Sequence, residues 1–544
     1  MIEGVSHPEP VGEGAIAVRI EGEAAAEVLS RVRAVATVIE AAAIAGVTDV
    51  VGSPGRVSVA YDPLAVEDLG AVMAAIAAAA GAAEVTSGSG SELHEIPVAY
   101  DGEDLEEVCS SHGLPRERLI AAHTEPEYVV EAIGFLPGFG YLAGLPEAVA
   151  TPRRATPRRL VPAGAVGIGG GQTGVYPFAS PGGWNLIGRS SATLFDARRP
   201  RPAVLAVGDR VRFVEADGEA VVAAEHSPPP AGAGGPAAIT VVEPGLFTTV
   251  QDLGRPGHRN AGVPLSGAAD RVSLQLANLL VGNPEGAAGI ECTLVGPRLR
   301  FECEAIVALV GGEFPGLPAG VATRLAAGTE LAIGHATAGC RGYLAVAGGI
   351  EVEPVLGSRS TLVAAGLGGF GGRPLRASDR LGVGDRAGRA ARPPVRGVAE
   401  VLRVMRFGER PQVLRVIPGE QAEACCGSAW GRTFRASSRS NRMGVRLEGA
   451  PLPGAGEFAG MASVAVFPGT VQLPPDGQPI VLLADAQTIG GYPVLGQVIA
   501  ADLPRAAQLR PGEPVCFEPV TLAEARAAVR QQEDAVADLR ETLR

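Results

Sequence analysis

Residues Gly134–Arg189 read GFLPGFGYLAGLPEAVATPRRATPRRLVPAGAVGIGGGQTGVYPFASPGGWNLIGR. Glycine, proline, arginine and aromatic side chains are so closely interspersed that neither a helix nor a long strand can run far. This pattern predicts tight turns between short strands of a small barrel. Loops on a rigid barrel are also where binding sites concentrate. Arg153, Arg154, Arg158 and Arg159 add planar cationic forks suited to carboxylate or phosphate. The stretch is therefore expected to be both a set of turns and the rim of a pocket.

Working outward, Glu95–Tyr100 and Glu127–Gly134 read as strands, Asp104–His112 and Pro115–Ala122 as short helices, and Val204–Val214 as a β ending. Residues 91–225 are thus expected to hold a compact β-barrel with two peripheral helices. Upstream, 1–90 reads as a small α+β domain: strands at Ala15–Ile20, Val47–Val51 and Arg56–Tyr61, and helices at Ala24–Ala43 and Val66–Ala80. Downstream, His226–Ala238 (HSPPPAGAGGPAA) can form no core and reads as a tether. Beyond it, short strands and frequent turns predict a first barrel over 239–390. A loose segment at Ala387–Glu400 then precedes a second barrel and a terminal helix over 391–544. The predicted class is mainly β with α+β parts.

A chain of 544 residues is too long for one core; about three or four domains are expected. The net charge of −13 argues against general nucleic-acid binding. There is no lysine, so a Walker A lysine, a Schiff base and a lysine-borne biotin or pyridoxal phosphate are all excluded. The seven cysteines make no CxxC pair, and the histidines have no metal-like spacing, so no metal site is predicted. MIEGVSHPEP lacks the features of a signal peptide, and the alanine-rich run Ala71–Ala83 is too short to span a membrane. A cytoplasmic, reduced location follows as the expectation.

Two GxGxxG matches, Gly169–Gly174 and Gly366–Gly371, run into Val175-Tyr176-Pro177 and Gly372-Arg373-Pro374. Neither can open a helix, so both read as turns rather than dinucleotide fingerprints. His123 is the histidine placed to lie beside Gln172 and Tyr141, where it could act as acid, base or oxyanion donor. Arg158 and Arg189 are candidate anion ligands at the rim. In the second half, Gln251, Asp252 and Arg255 share a turn after a strand. Asn441 and Arg442 sit in SNRMG, and Gln487 and Tyr492 in DAQTIGGYP, which echoes GGQTGVYP across the tether. Together these predict a composite polar site.

The motifs GFLPGFGYL, VPAG, GGQTGVYP and SPGGWNLIGR closely resemble the allophanate hydrolase subunit 1 family, which includes the B subunit of 5-oxoprolinase and a sporulation kinase inhibitor. TTVQDLGRPG, GYLAVAGGI, LGSRST, SNRMGVRL and DAQTIGGYP resemble the allophanate hydrolase subunit 2 family, which includes the C subunit of 5-oxoprolinase. The resemblance implies fused B and C subunits with cyclophilin-like barrels in both halves. It implies ATP, with magnesium, as cosubstrate for opening 5-oxoproline to glutamate alongside a separate partner like the A subunit of 5-oxoprolinase. It also implies two alternatives: a carboxyltransferase using carboxybiotin carried on another chain, as in urea carboxylase, and a non-enzymatic histidine-kinase-regulating binder. The expected partners are the A-type subunit of 5-oxoprolinase and a small amide substrate, with no nucleic acid and no membrane; self-association into a homo-oligomer is left open. Ala165, Ile489 and Ala269 depart from residues common in these motifs (Ser, Thr and Met), and bear on fine substrate contacts.

Overall fold

The computed structural model describes residues 4–84, 91–218, 237–385, 411–423, 429–458 and 461–543. Most of the tether His226–Ala238 and the segment Ala387–Glu400 lie outside the described residues.

The N-terminal unit is an antiparallel sheet in the order Glu9–Gly12, Ala15–Arg19, Arg56–Tyr61, Val47–Ser53. Helices Ala25–Ala41 and Leu69–Gly81 pack on it. Val32, Val35 and Ile39 of the first helix recur at helical spacing, and they meet Ile16, Val18, Val57 and Val59 of the sheet in one core. The Asp68 carboxylate caps the second helix by accepting from Ala71 N at 3.0 Å. The strand Glu9–Gly12 was not expected; it is short and rich in Gly and Pro, with no alternation to mark it.

The stretch from Gly134 to Arg189 supplies four strands of a seven-stranded sheet in the order Asn185–Arg189, Ala165–Gly169, Gln172–Val175, Gly140–Ala143, Tyr128–Ile133, Arg210–Glu215, Leu93–Val98, and its strands Arg158–Val161 and Ser180–Gly182 pair in a separate two-stranded sheet. A bridge between Ala99 and Arg189 joins the last strand of that order to the first, so the sheet nearly closes. Its interior is packed with Val130, Leu142, Ile168, Ile187, Val211 and Phe213, and the helices Leu105–His112 and Arg116–Thr124 cover it. His123 lies in the last turn of the second helix, whose extent runs past the expected Ala122.

In the second half, the strands expected to close a first barrel are arranged as two five-stranded sheets. Ile239, Leu299, Phe301 and Leu381 of one sheet meet Val250, Ile290, Leu309 and Leu344 of the other in a single core. Two sheets facing each other bury their apolar sides without closure. The barrel of this half is formed by Gln412–Pro418 through Pro514–Pro519: seven strands, fully closed. Burial along Gln412–Pro418 alternates, with Leu414 and Val416 directed into the barrel.

Two devices bind these units together. The terminal helix Leu522–Thr542 starts at a capping box formed by Thr521 and Glu524. Its Val536 and Leu539 pack on Leu276 and Leu280 of the helix Arg271–Leu280, Gln532 donates to Ala501 O at 3.2 Å, and Arg526 donates to Val66 O at 2.5 Å. One helix thus touches the two-sheet unit, the closed barrel and the N-terminal unit. The second device is buried charge. Arg442, in the turn before the barrel strand Gly444–Glu448, bonds Asp485 at 2.8 and 3.0 Å and Gly267 O at 2.5 Å; its guanidinium also donates to Glu291, in the strand Gly289–Thr293 of the other unit. Burial alone would lower the Arg442 pKa, but the Asp485 and Glu291 carboxylates more than offset this and raise it.

Replacing Arg442 with Met leaves Glu291 and Asp485 as buried carboxylates without their cation, so denaturant unfolding should show a loss of about 3–5 kcal/mol. An unchanged unfolding midpoint would refute the bridging role. Glu13 gives a second test. Its carboxyl, 3% exposed, accepts from Ala500 N across the contact between the N-terminal unit and the closed barrel. Desolvation raises its pKa from 4.5 to about 7; the Ala500 N–H opposes this in part. A raised acid pKa means the folded state prefers the protonated form. The contribution of Glu13 is therefore most favourable below pH 4.5 and declines as pH rises through about 7. The difference in stability between wild type and Glu13→Gln should shift by on the order of 3 kcal/mol between pH 4 and pH 8. A difference independent of pH would overturn this assignment.

Candidate functional site

Strands expose alternate residues to opposite faces, and in the first barrel this alternation decides what can reach solvent. Tyr128, Val130, Leu142 and Thr173 point into the barrel, whereas Glu131, Tyr141 and Gln172 point out. The outer face of these strands meets the closed barrel of the second half. Gly134 packs on Ile489 there so closely that a Cβ on Gly134 would lie 2.5 Å from it. Ile489, Val51 and Ala132 share a small apolar cluster, so the Ile at this departure from the family pattern is buried at the seam.

Beside that seam lies a cleft of about 530 Å³. One wall carries Glu131, Tyr141, Arg153 and Gln172; the other carries Met461, Ser463, Leu473 and Tyr492. The glycines Gly169–Gly171 make the hairpin turn that presents Gln172, with Gln172 paired to Gly169 across the ladder. Gly170 has φ +68°, and a Cβ on Gly169 would lie 2.4 Å from Trp184. Those two requirements, a left-handed turn and close approach to an indole, account for this GxGxxG match.

Gln172 Nε2 donates to Glu131 Oε2 at 2.9 Å, which fixes the carboxylate at the cleft wall and leaves the Gln172 carbonyl oxygen as an acceptor. Tyr141 stacks edge-on against Phe139, with ring centroids 5.0 Å apart. Burial raises its pKa and Arg153 pulls it back only in part, so its hydroxyl is a neutral donor. Tyr492, 41% exposed, faces it from the second half. The cleft thus offers a carboxylate, an amide, a phenol donor and a cation around a partly apolar space. That set suits a small polar molecule having both N–H and C=O groups.

His123 is not in this cleft. Its ring lies inside the barrel, with no exposed surface, stacked on Phe213 at 4.5 Å. Thr173 Oγ1 gives its proton to Gly167 O at 3.0 Å, so His123 Nε2–H donates to Thr173 Oγ1 at 2.9 Å, and Nδ1 accepts from the Tyr100 hydroxyl at 2.7 Å. Desolvation pushes its pKa down to about 3, leaving it neutral. The acid–base role expected for His123 requires a reachable ring. What the structure supplies is a buried link that pins the strand carrying Gln172.

Other expected site residues lie elsewhere. Arg158 pairs with Asp104 at 2.5 Å and Glu103 at 2.8 Å, and Arg189 with Asp101 at 2.8 Å. Gln251 donates to Thr249 Oγ1 and Thr361 O; Asp252 accepts from Ser358 Oγ at 2.7 Å and Arg359 N at 2.6 Å; Arg255 donates to Ser360 O. TTVQDLGRPG and LGSRST are therefore two motifs that bond to each other within the two-sheet unit. Asn441 Oδ1 accepts from Met443 N at 2.8 Å, closing a turn that aims Arg442 inward. Gln487 donates to Gln472 Oε1 at 3.3 Å, and neither residue lines the cleft. Of the expected residues, Gln172, Tyr141 and Tyr492 come together in the cleft. Glu131 and Arg153 join them. Arg153 was visible only as a rim arginine. The signal for Glu131 was its position one residue from Val130 on an alternating strand.

Among the described residues, no helix is long and apolar enough to cross a membrane. The family model for the carboxyltransferase domain, subdomain C and D, matches residues 7–205, and that for subdomain A and B matches residues 261–519. The chain is 38% identical over 305 residues to the 5-oxoprolinase C subunit of Escherichia coli, spanning 54% of this chain and 95% of that protein. It is 55% identical over 123 residues to the 5-oxoprolinase B subunit of Haemophilus influenzae, spanning 22% of this chain and 58% of that protein. Urea amidolyase of Lachancea kluyveri matches at 31% identity over 56% of this chain and 18% of its own length. The crystal structure of TTHA0988 superposes with a TM-score of 0.79 at 37% identity, covering 93% of this chain and 99% of that one. The stretch similar to the B subunit precedes the stretch similar to the C subunit in one continuous chain, so this protein belongs to the carboxyltransferase-domain family of the 5-oxoprolinase B and C subunits, with the two fused.

Proposed function

We propose that the chain is the B–C component of a cytoplasmic, ATP-dependent 5-oxoprolinase that activates the lactam for hydrolysis to glutamate by a separate A-type partner. The observation that carries this reading is the cleft between the two halves, where Glu131, held by Gln172, lies beside Tyr141 and opposite Tyr492. A cyclic amide has one N–H and one C=O. Its N–H donates to the Glu131 carboxylate, and Tyr141 and Tyr492 border the ring. The carbonyl oxygen attacks the γ-phosphorus of ATP, the bond from that phosphorus to the ADP oxygen breaks, and the N–H proton passes to Glu131. The products are a phosphorylated imidate and ADP. The partner then adds one water to the imidate carbon, the C–N bond breaks to leave a γ-acyl phosphate, and a second water hydrolyses it, releasing phosphate and glutamate. Among the described residues no cluster of three His, Cys, Asp or Glu side chains could hold a metal. Magnesium enters bound to the nucleotide phosphates, as part of the substrate.

The similarity to urea amidolyase favours a second reading, transfer of a carboxyl group from carboxybiotin to a urea-like amide. Without lysine this chain cannot carry the biotin itself, so the carrier would be another chain.

Purified chain mixed with an A-type partner should release ADP in proportion to 5-oxoproline consumed, and neither protein alone should form glutamate. Glu131→Gln should lower kcat by about 10²–10⁴-fold, the range for loss of a general base, with the fold intact. Wild-type-like turnover in Glu131→Gln would remove Glu131 from the chemistry. Absence of lactam-dependent ADP release, together with carboxylation of urea by carboxybiotin, would establish the second reading instead.

A further inference from the structure

A second cleft, of about 420 Å³, opens beside the first and is lined by Glu107, Ser111, Thr151, Arg154, Thr156 and Asn185, together with Arg153. Arg153 also lines the larger cleft. The segment that separates the two is held rigidly. Gly170 N donates to Thr151 O at 2.7 Å, Asn185 Nδ2 to Pro152 O at 2.8 Å, and Arg154 N to Gly183 O at 2.8 Å.

The arginines of this segment have different fates. Arg154 pairs with Asp104 at 2.9 Å and Glu107 at 3.2 Å, and Arg158 with Asp104 and Glu103. Arg153 makes no ion pair among the described residues; its guanidinium lies 5.9 Å from the centre of the Trp184 ring. With Arg154 offset by Glu107, the smaller cleft keeps the single uncompensated positive charge of Arg153 among hydroxyl and amide groups. Such a cleft favours an anion over a cation. A guanidinium has five N–H donors in a plane, enough to serve two oxyanions at once.

We infer that the two clefts are halves of one bipartite site sharing Arg153, the larger taking a cyclic amide that bears a carboxylate and the smaller an anionic phosphoryl donor. This rests on the lactam-activating reading above and assigns its two ligands to separate places. Arg153 bonds the substrate carboxylate from one side and a phosphate oxygen from the other, which brings the lactam carbonyl and the phosphoryl group together at the segment between the clefts.

Titration calorimetry on the whole chain tests this with three probes: 5-oxoproline, 2-pyrrolidinone (the same ring without the carboxylate) and the magnesium complex of the non-hydrolysable ATP analogue AMP-PNP. Wild type should prefer 5-oxoproline to 2-pyrrolidinone by about tenfold or more. Arg153→Gln should erase that preference and also weaken AMP-PNP by about tenfold or more. Thr156 is exposed and its hydroxyl makes no bond among the described residues, so Thr156→Glu places a negative charge in the smaller cleft without removing a fold contact. It should weaken AMP-PNP and leave 5-oxoproline unchanged. Loss of only one ligand in Arg153→Gln would show that the residue is not shared. AMP-PNP binding unaffected by Thr156→Glu would show that the smaller cleft is not the phosphoryl-donor site. If wild type binds neither 5-oxoproline nor AMP-PNP, the lactam-activating reading itself falls.

Discussion

Arg259 is buried where the N-terminal unit, the first barrel and the closed barrel meet, and the cleft depends on that junction. Its backbone N–H donates to Asp49 at 2.9 Å, its guanidinium donates to Val466 O, and it lies 4.8 Å from the centre of the Phe467 ring. The next turn accepts at Ala261 O from Gly138 N at 2.8 Å, inside the Gly/Pro-rich stretch of the first barrel. A side chain and one turn from the second half therefore reach two units of the first half. Burial lowers the Arg259 pKa and the Asp49 carboxylate compensates only in part. Without this junction the outer face of Tyr128–Ile133 would meet water, and there would be no second wall.

The same logic explains how a chain without lysine handles its interior. Arg442 reaches Glu291, Asp485 and Gly267 O simultaneously. A planar fork with five donors can satisfy several acceptors in fixed directions, which an ammonium on a flexible stem does less well. Buried arginines tie units together, while Arg154 and Arg158 spend their charge on Asp104 and its neighbours. Arg153 stands out against that background because its charge is directed at open space between two cavities.

Much of the fold was legible in the sequence. The helix Ala25–Ala41 and the strands Val47–Ser53 and Arg56–Tyr61 followed from apolar spacing and turn residues, and the terminal helix from its richness in Ala, Arg and Glu. The site was less legible. Gln172, Tyr141 and Tyr492 were expected to belong together and do. His123 was expected with them, and is separated by the thickness of the barrel wall. Gln172 and Thr173 are chain neighbours, yet one faces the cleft and the other bonds His123 in the core. Polar motifs such as TTVQDLGRPG carry the same residue types whether they bind a ligand or each other, so composition could not separate the two uses.

By itself the sequence determined the local geometry: where glycine permits a left-handed turn, where alternation makes a strand, and which lysine chemistries cannot occur. These depend on neighbours along the chain, and sterics and covalent structure decide them. Only the tertiary structure decided that the outside of the first barrel, rather than its interior, lines the cleft. A period of two marks two faces of a strand without saying which one meets a partner surface. That choice was made by contacts hundreds of residues apart, such as Gly134 against Ile489, whose energies exist only when both halves are folded together.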